Sequence, residues 1–288
     1  MVNPNTISFA FFGTSEFSVY VLDALKEKGV LPTQIITTPD QPQGRKLIVT
    51  PPPVKVWAIE NKISYIQPES LKEVGLVEKL ESYKCDVFIV ASYGKIIPQT
   101  ILDIPKYKTL NAHPSLLPKL RGASPIQTAI LEENSTGITI MRLDEKMDHG
   151  PIIAQKEISA EPWPPHYTIL EKKLGTECGH ILAEILPEWV AGKIPEKEQN
   201  HDLATYTKKI EKTDGQISLD DDAEKNLKKI RAFEVWPNAY FFAKSKNDAK
   251  EIRVIIKDAE MIDSKLEINR VIPEGKKEMN YRDFLKGL

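Results

Sequence analysis

Residues Ile7 to Phe12 are apolar but for Ser8 and stop at Gly13-Thr14-Ser15. Beyond that turn Phe17, Tyr20, Val21, Leu22 and Leu25 recur at helical spacing as far as Gly29. This opening predicts a buried strand, a tight turn and a helix. The same alternation continues, with strands predicted at Gln34–Thr38, Ser64–Ile66 and Asp86–Ala91 and helices at Val54–Asn61 and Leu71–Ser82. Strands alternating with helices in this way imply right-handed crossovers and a parallel sheet covered on both faces. Further along, Thr109–His113, Ile138–Leu143 and Ile152–Ile158 read as strands, Pro125–Leu131 as a helix and Tyr167–Trp189 as a long helix.

At 288 residues the chain is long enough for two domains. Gly192 to His201 combines Gly, Pro and charge between apolar regions, so the expected division is a catalytic-size domain at 1–190, a linker at 191–204 and a smaller module at 205–288. The module carries 18 basic against 16 acidic residues, a slight excess that suits an accessory surface facing an anion. The whole chain has a net charge of −2, which excludes a body as basic as a histone-like nucleic-acid binder. Cys85 and Cys178 are the only cysteines, and neither has a cysteine or histidine partner at metal-ligand spacing. That usage, with no basic leader ahead of Ile7, makes a reducing cytoplasm the expected location.

Chemistry-bearing residues are densest in Asn111-Ala112-His113-Pro114-Ser115-Leu116-Leu117-Pro118-Lys119-Leu120-Arg121-Gly122. Positions i and i+2 of a strand share a face, so Asn111 and His113 project side by side where the strand ends before Pro114. Ligands of open α/β sheets bind beyond the carboxyl ends of strands, where this pair lies. Two buried side chains that satisfy each other account for an isolated pair equally well.

The run NAHPSLLPKLRG, followed by GITIMRLDEKMDHGPII, resembles the formyltransferases that use 10-formyltetrahydrofolate. The resemblance implies a Rossmann-like α/β domain with a mostly parallel sheet and a small β-rich second domain, a reduced relative of the OB barrel. It implies a catalytic group of Asn111, His113 and Asp148, a folate-contacting segment at Ser115, Leu116, Leu117 and Pro118, and a loop bordering the pteridine at Ala91-Ser92-Tyr93-Gly94. Thr38 to Lys46, TPDQPQGRK, and Ile230 to Tyr240, IRAFEVWPNAY, are similar to segments of the members that act on methionyl-initiator tRNA. There the first is a basic loop at the acceptor end, which gives Arg45 and Lys46 a tRNA-binding role, and the second opens the small barrel. Members acting on small amines, such as a nucleotide sugar or glycinamide ribonucleotide, lack the first segment. A departure from the pattern lies between Ile252–Ala259 and Lys265–Ile268, where only Glu260 to Ser264 intervene and a barrel hairpin is missing.

Formyl transfer requires an amine to attack the formyl carbon, and the tetrahedral intermediate carries an oxyanion and an ammonium. Asn111 can donate to the oxyanion and His113 can stabilise it or shuttle the proton, while Asp148 orients His113; the closeness of Asp148 to His113 is implied by the resemblance alone. A metal is not expected, because Asp144 and Asp148 have no third ligand at suitable spacing. Gly13-Thr14-Ser15 lacks the glycine pattern of a phosphate loop and reads as a helix cap. His149 reads as a loop residue, and His166, His180 and His201 have no partners evident in sequence. A monomer that meets folate and tRNA as substrates, with no membrane association, completes the expectation.

Overall fold

The computed structural model describes residues 7–44, 47–244 and 251–288. The chain forms two compact units. The first comprises residues up to Arg121 together with Gly137–Ile158 and Glu171–Tyr206. Its centre is a seven-stranded sheet of β1 (Phe9–Gly13), β2 (Gln34–Ile36), β3 (Tyr65–Ile66), β4 (Val87–Ala91), β5 (Thr109–His113), β6 (Thr136–Arg142) and β7 (Ile152–Ile158). Across the sheet the order is β7-β6-β5-β4-β1-β2-β3. Strands β1 to β5 pair in parallel, and β6 enters antiparallel to β5. Every residue of β1, β4 and β5 is buried, as the apolar runs require of strands covered on both faces.

The order reverses between β1 and β4, so the turns after these strands diverge to leave a crevice at their carboxyl ends. Two side chains fasten the turns. Ser18 Oγ donates to Ala91 O at 2.6 Å, and Thr14 Oγ1 donates to Tyr93 O at 2.8 Å.

Helix α1 (Glu16–Glu27) and helix α2 (Pro53–Glu60) follow the expected spacing. Helix α3 is shorter than its apolar pattern, Leu76–Ser82 rather than Leu71–Ser82. Local bonds take its first turn: Ser70 N donates to Glu73 Oε1, Lys72 N donates to Ser70 Oγ, and Gly75 sits at φ 82°. A short α4 (Gln99–Leu102) has no counterpart in the sequence reading.

The second unit comprises Gly122–Thr136, Ser159–Leu170 and Thr207–Leu288. It holds an antiparallel sheet, in order, of β8 (Tyr240–Lys244), β9 (Glu251–Ile262), β10 (Lys265–Pro273) and β11 (Met279–Asn280). Strands β9 and β10 join through Asp263 and Ser264 alone, both at positive φ, 48° and 61°. Two consecutive residues of that kind make the tight turn whose twist matches a hairpin, so the strands run straight into each other where the sequence lacks a further hairpin. Helices α5 (Pro125–Glu132), α7 (Ala223–Ala232) and α8 (Tyr281–Lys286) lie in this unit, and Ile230 of α7 and Phe284 of α8 pack with Phe241, Val254, Ile256 and Val271. The remaining helix, α6, spans Tyr167–Val190.

Candidate active site

Strand β5 presents Asn111 and His113 on one face, and the structure brings Asp148 to both. Asp148 Oδ1 lies 3.5 Å from Asn111 Nδ2 and 3.6 Å from His113 Nδ1. Asn111 and His113 are 8% and 4% exposed, so their polar atoms act where water screens them little. His113 Nε2 donates to Leu120 O at 3.0 Å, which leaves Nδ1 as the ring nitrogen facing Asp148.

Asp148 owes its place to an unusual turn. Its own φ is +47°, and the turn closes on Gly150, where a Cβ would stand 2.0 Å from Arg142 O. Only glycine fits there. Gln199 Nε2 donates to both Asp148 O, at 3.0 Å, and Gly150 O, at 2.7 Å.

The Ser115–Pro118 segment is held from beneath. Thr139, opposite His113 in the β5–β6 register, donates from Oγ1 to Ser115 O at 2.7 Å and accepts from Leu117 N at 3.1 Å. Gln155 Nε2 reaches both Leu117 O and Thr139 Oγ1, at 2.8 and 2.9 Å. Ser115 and Leu117 are therefore buried, and Ser115 Oγ is spent on Lys119 O at 2.7 Å. Leu116 and Pro118 keep partial exposure. Gly137 lets Leu116 come close, since a Cβ there would stand 2.5 Å from Leu116 Cδ2.

Tyr93 points elsewhere: its ring packs edge-on against Phe12 at 5.5 Å and is 2% exposed. Burial, with a smaller contribution from Glu73, pushes its phenol up to about 12, so it stays protonated. In its loop Ser92 sits at φ +47°, and the Tyr93 carbonyl accepts from Thr14 Oγ1. Arg45 and Lys46 lie outside the described residues. They fall between Gln41–Gln43 and Ile48–Thr50, which pair as a small antiparallel hairpin. At its base Asp40 takes Lys55 Nζ at 2.7 Å and Gln67 Nε2 at 2.7 Å, and these bonds, Gln67 first, lower its pKa.

The remaining histidines acquire partners. His149 Nδ1 lies 2.8 Å from Asp144 Oδ2 and its ring stacks on His201 at 4.0 Å, while His166 faces Glu234 and His180 faces Glu27. Among the described residues no three His, Cys, Asp or Glu side chains gather as a metal site, and no helix is long and apolar enough to cross a membrane. Thr139, Gln155 and Gln199 were not legible as site residues: each is a polar side chain whose role depends on a strand register or a returning segment.

A Rossmann-like sheet brings an amide, an imidazole and a carboxylate together at a strand's carboxyl end. Residues 6–185 match the formyl transferase family and residues 209–265 match the formyl transferase C-terminal domain, so the chain belongs to the formyl transferase family. It is 38% identical to the methionyl-tRNA formyltransferase of Sulfurihydrogenibium sp. (strain YO3AOP1), over 89% of this chain and 81% of that one. With the methionyl-tRNA formyltransferase of Geobacillus sp. (strain WCH70) the identity is 36%, over 98% and 94% of the two chains. In fold it is similar to a methionyl-tRNA formyltransferase from Clostridium thermocellum, with a TM-score of 0.61 at 17% identity, covering 93% of this chain and 98% of that one. A sugar N-formyltransferase from Shewanella sp. FDAARGOS_354 gives 0.63 at 19%, covering 89% and 99%.

Proposed function

We propose that this protein transfers the formyl group of 10-formyltetrahydrofolate to the α-amine of methionyl-initiator tRNA, and that Asn111, His113 and Asp148 carry the reaction. The observation behind the assignment of roles is the approach of one Asp148 oxygen to both Asn111 and His113. The folate donor supplies the formyl group; Leu116 and Pro118 offer its rings an apolar edge, and Ser115 and Leu117 hold that edge in place. Tyr93 contributes through the backbone of its loop.

As the amine nitrogen bonds to the formyl carbon, charge develops on the formyl oxygen. Asn111, whose Nδ2 has two hydrogens, can donate one toward Asp148 and one toward that oxygen. The attacking nitrogen must lose a proton and the departing folate nitrogen must gain one. His113 Nδ1 serves as relay, with Asp148 holding the proton-bearing imidazole in register. Once the new C–N bond is complete, the oxyanion collapses to the carbonyl and the C–N bond to folate breaks, the departing nitrogen taking the proton that the amine gave up.

Arg45 and Lys46 bind the acceptor end of the tRNA through phosphate contacts. The protein acts as a cytoplasmic monomer. Purified protein incubated with 10-formyltetrahydrofolate and Met-tRNA should form formyl-Met-tRNA, and a 4-amino nucleotide sugar or glycinamide ribonucleotide should not substitute. Faster formylation of either small amine overturns the choice of acceptor. His113→Ala should lower kcat by ~10²–10⁴-fold and Asn111→Ala by ~10²–10³-fold. A folded His113→Ala protein with normal kcat would remove His113 from the mechanism.

A further inference from the structure

The chain that leaves α6 returns along the first unit, and its bonds fall on the groups that hold His113. Lys197 and Ile152 exchange backbone hydrogen bonds at 2.8 and 2.9 Å, which sets the register of the return. Two residues on, the Gln199 amide bridges Asp148 O and Gly150 O. Its other end accepts Arg121 Nη2 at 2.6 Å. Arginine has donors only, so this contact fixes which end of the amide faces the turn: Oε1 toward Arg121, NH₂ toward the two carbonyls. A flipped amide would set its oxygen against both.

Arg121 is 1% exposed, a costly place for a guanidinium unless its donors are used. Besides Gln199 it donates to His201 Nδ1 at 2.9 Å and reaches Tyr206 OH at 3.4 Å, both on the returning segment. Its backbone N–H donates to Thr205 O at 2.9 Å. Thr205 Oγ1 in turn accepts from Leu120 N at 2.9 Å, and Leu120, at φ +60°, is the residue whose carbonyl takes His113 Nε2.

We propose that Gln199–Thr205 is a positioning element for catalysis: Gln199, oriented by Arg121, holds the turn that carries Asp148, and Thr205 holds Leu120, whose carbonyl fixes the far side of His113. Both flanks of the imidazole are thus set by one segment that touches no reacting atom. The inference rests on the reading of His113 and Asp148 as the catalytic pair.

The test uses full-length protein. Gln199→Glu keeps an acceptor for Arg121 and removes both donors to the turn. Thr205→Val removes the acceptor for Leu120 N at nearly constant shape, and Thr205→Ser restores it. Because a displacement of about 1 Å can cost ~10²-fold, Gln199→Glu and Thr205→Val should each lower kcat by roughly 10–100-fold. The KM values for 10-formyltetrahydrofolate and Met-tRNA should stay within about twofold, and the pH profile of kcat should shift, since Asp148 no longer meets His113 in register. Thr205→Ser should recover most of the wild-type kcat. Wild-type kcat in folded Gln199→Glu and Thr205→Val overturns the proposal, as does a loss spread equally over kcat and both KM values, which marks general distortion. If Gln199→Glu does not fold, the Thr205 pair decides. His113→Ala, assayed alongside, separates the two levels: inactive His113→Ala with active positioning variants sinks this inference alone, and active His113→Ala sinks the catalytic reading beneath it.

Discussion

Adding one methyl group at Gly150 should disable the site while leaving the protein folded. A Cβ there would stand 2.0 Å from Arg142 O and 3.2 Å from its carbonyl carbon. To regain ordinary van der Waals separation the turn must retreat by roughly 1.4 Å. Gly150 O now accepts from Gln199 at 2.7 Å and Asp148 O at 3.0 Å, and one amide cannot keep both bonds through a shift of that size. Asp148, two residues away at φ +47°, moves with the turn and leaves Asn111 and His113. Overpacking of this kind costs ~1–3 kcal/mol of stability, short of unfolding a domain of ordinary stability. The catalytic penalty is larger, on the order of 10²-fold in kcat, because the reaction depends on sub-ångström placement. Gly192→Ala is the control. Gly192 sits at φ +69° with nothing within 4 Å of an added Cβ, so alanine there costs about 1 kcal/mol of backbone strain and should leave kcat unchanged. The assay is steady-state formylation of Met-tRNA beside a thermal melt of each variant. Gly150→Ala with kcat within about twofold of wild type would falsify the claim that this turn places Asp148. Equal loss in both variants would trace the effect to stability alone.

Thr139→Val removes the hydroxyl that joins Ser115 O, Leu117 N and Gln155, so it should raise KM for 10-formyltetrahydrofolate by roughly tenfold with KM for Met-tRNA unchanged, and an unchanged folate KM would show that the segment holds itself. Arg45→Ala should raise KM for Met-tRNA and spare that for the folate donor; equal impairment of both would assign the hairpin to the folate site or to folding. Burial pushes the Cys85 thiol up to about 11 and raises Cys178 as well, so a thiol reagent at pH 8 should label neither until the protein is unfolded, and rapid labelling of the native protein would contradict the burial of both. Since the folded-state value of Cys85 lies above its unfolded value near 9, its contribution to stability is present below pH 9 and is lost as pH rises through about 11.

How much of this was legible in sequence follows the range of the forces involved. Strands β1, β4 and β5 and helices α1, α2 and α6 stand out because an apolar run or a 3.6-residue repeat must find a core whatever surrounds it. The start of α3 was lost to Ser70, Glu73 and Gly75, whose local bonds outcompete a helical turn that the apolar spacing alone would allow. Where the resemblance implies a loop, Gln41–Gln43 pairs with Ile48–Thr50 as a hairpin; Pro42 lies opposite Val49 in this two-stranded ribbon, where an edge position tolerates a missing donor.

The site divides along the same line. Asn111 and His113 were legible as a pair because a strand's two-residue period places them together without any tertiary information. Asp148 is 35 positions from His113 and joined them only through resemblance; the physical cause is the glycine at 150, whose missing Cβ admits Arg142 O and lets the turn close. Gln199 lies further still, in a stretch of Glu, Lys and Gln whose composition reads as solvated, yet it is 5% exposed. What draws it inward is Arg121, a buried cation that needs hydrogen-bond acceptors and finds them in Gln199, His201 and Tyr206. A polar segment held by a buried arginine satisfies two demands at once. It supplies acceptors to a charge that water cannot reach, and it turns its own donors toward the carbonyls of the Asp148 turn. The burial of Arg121 and the placement of Asp148 are therefore one structural problem, solved by the same amide.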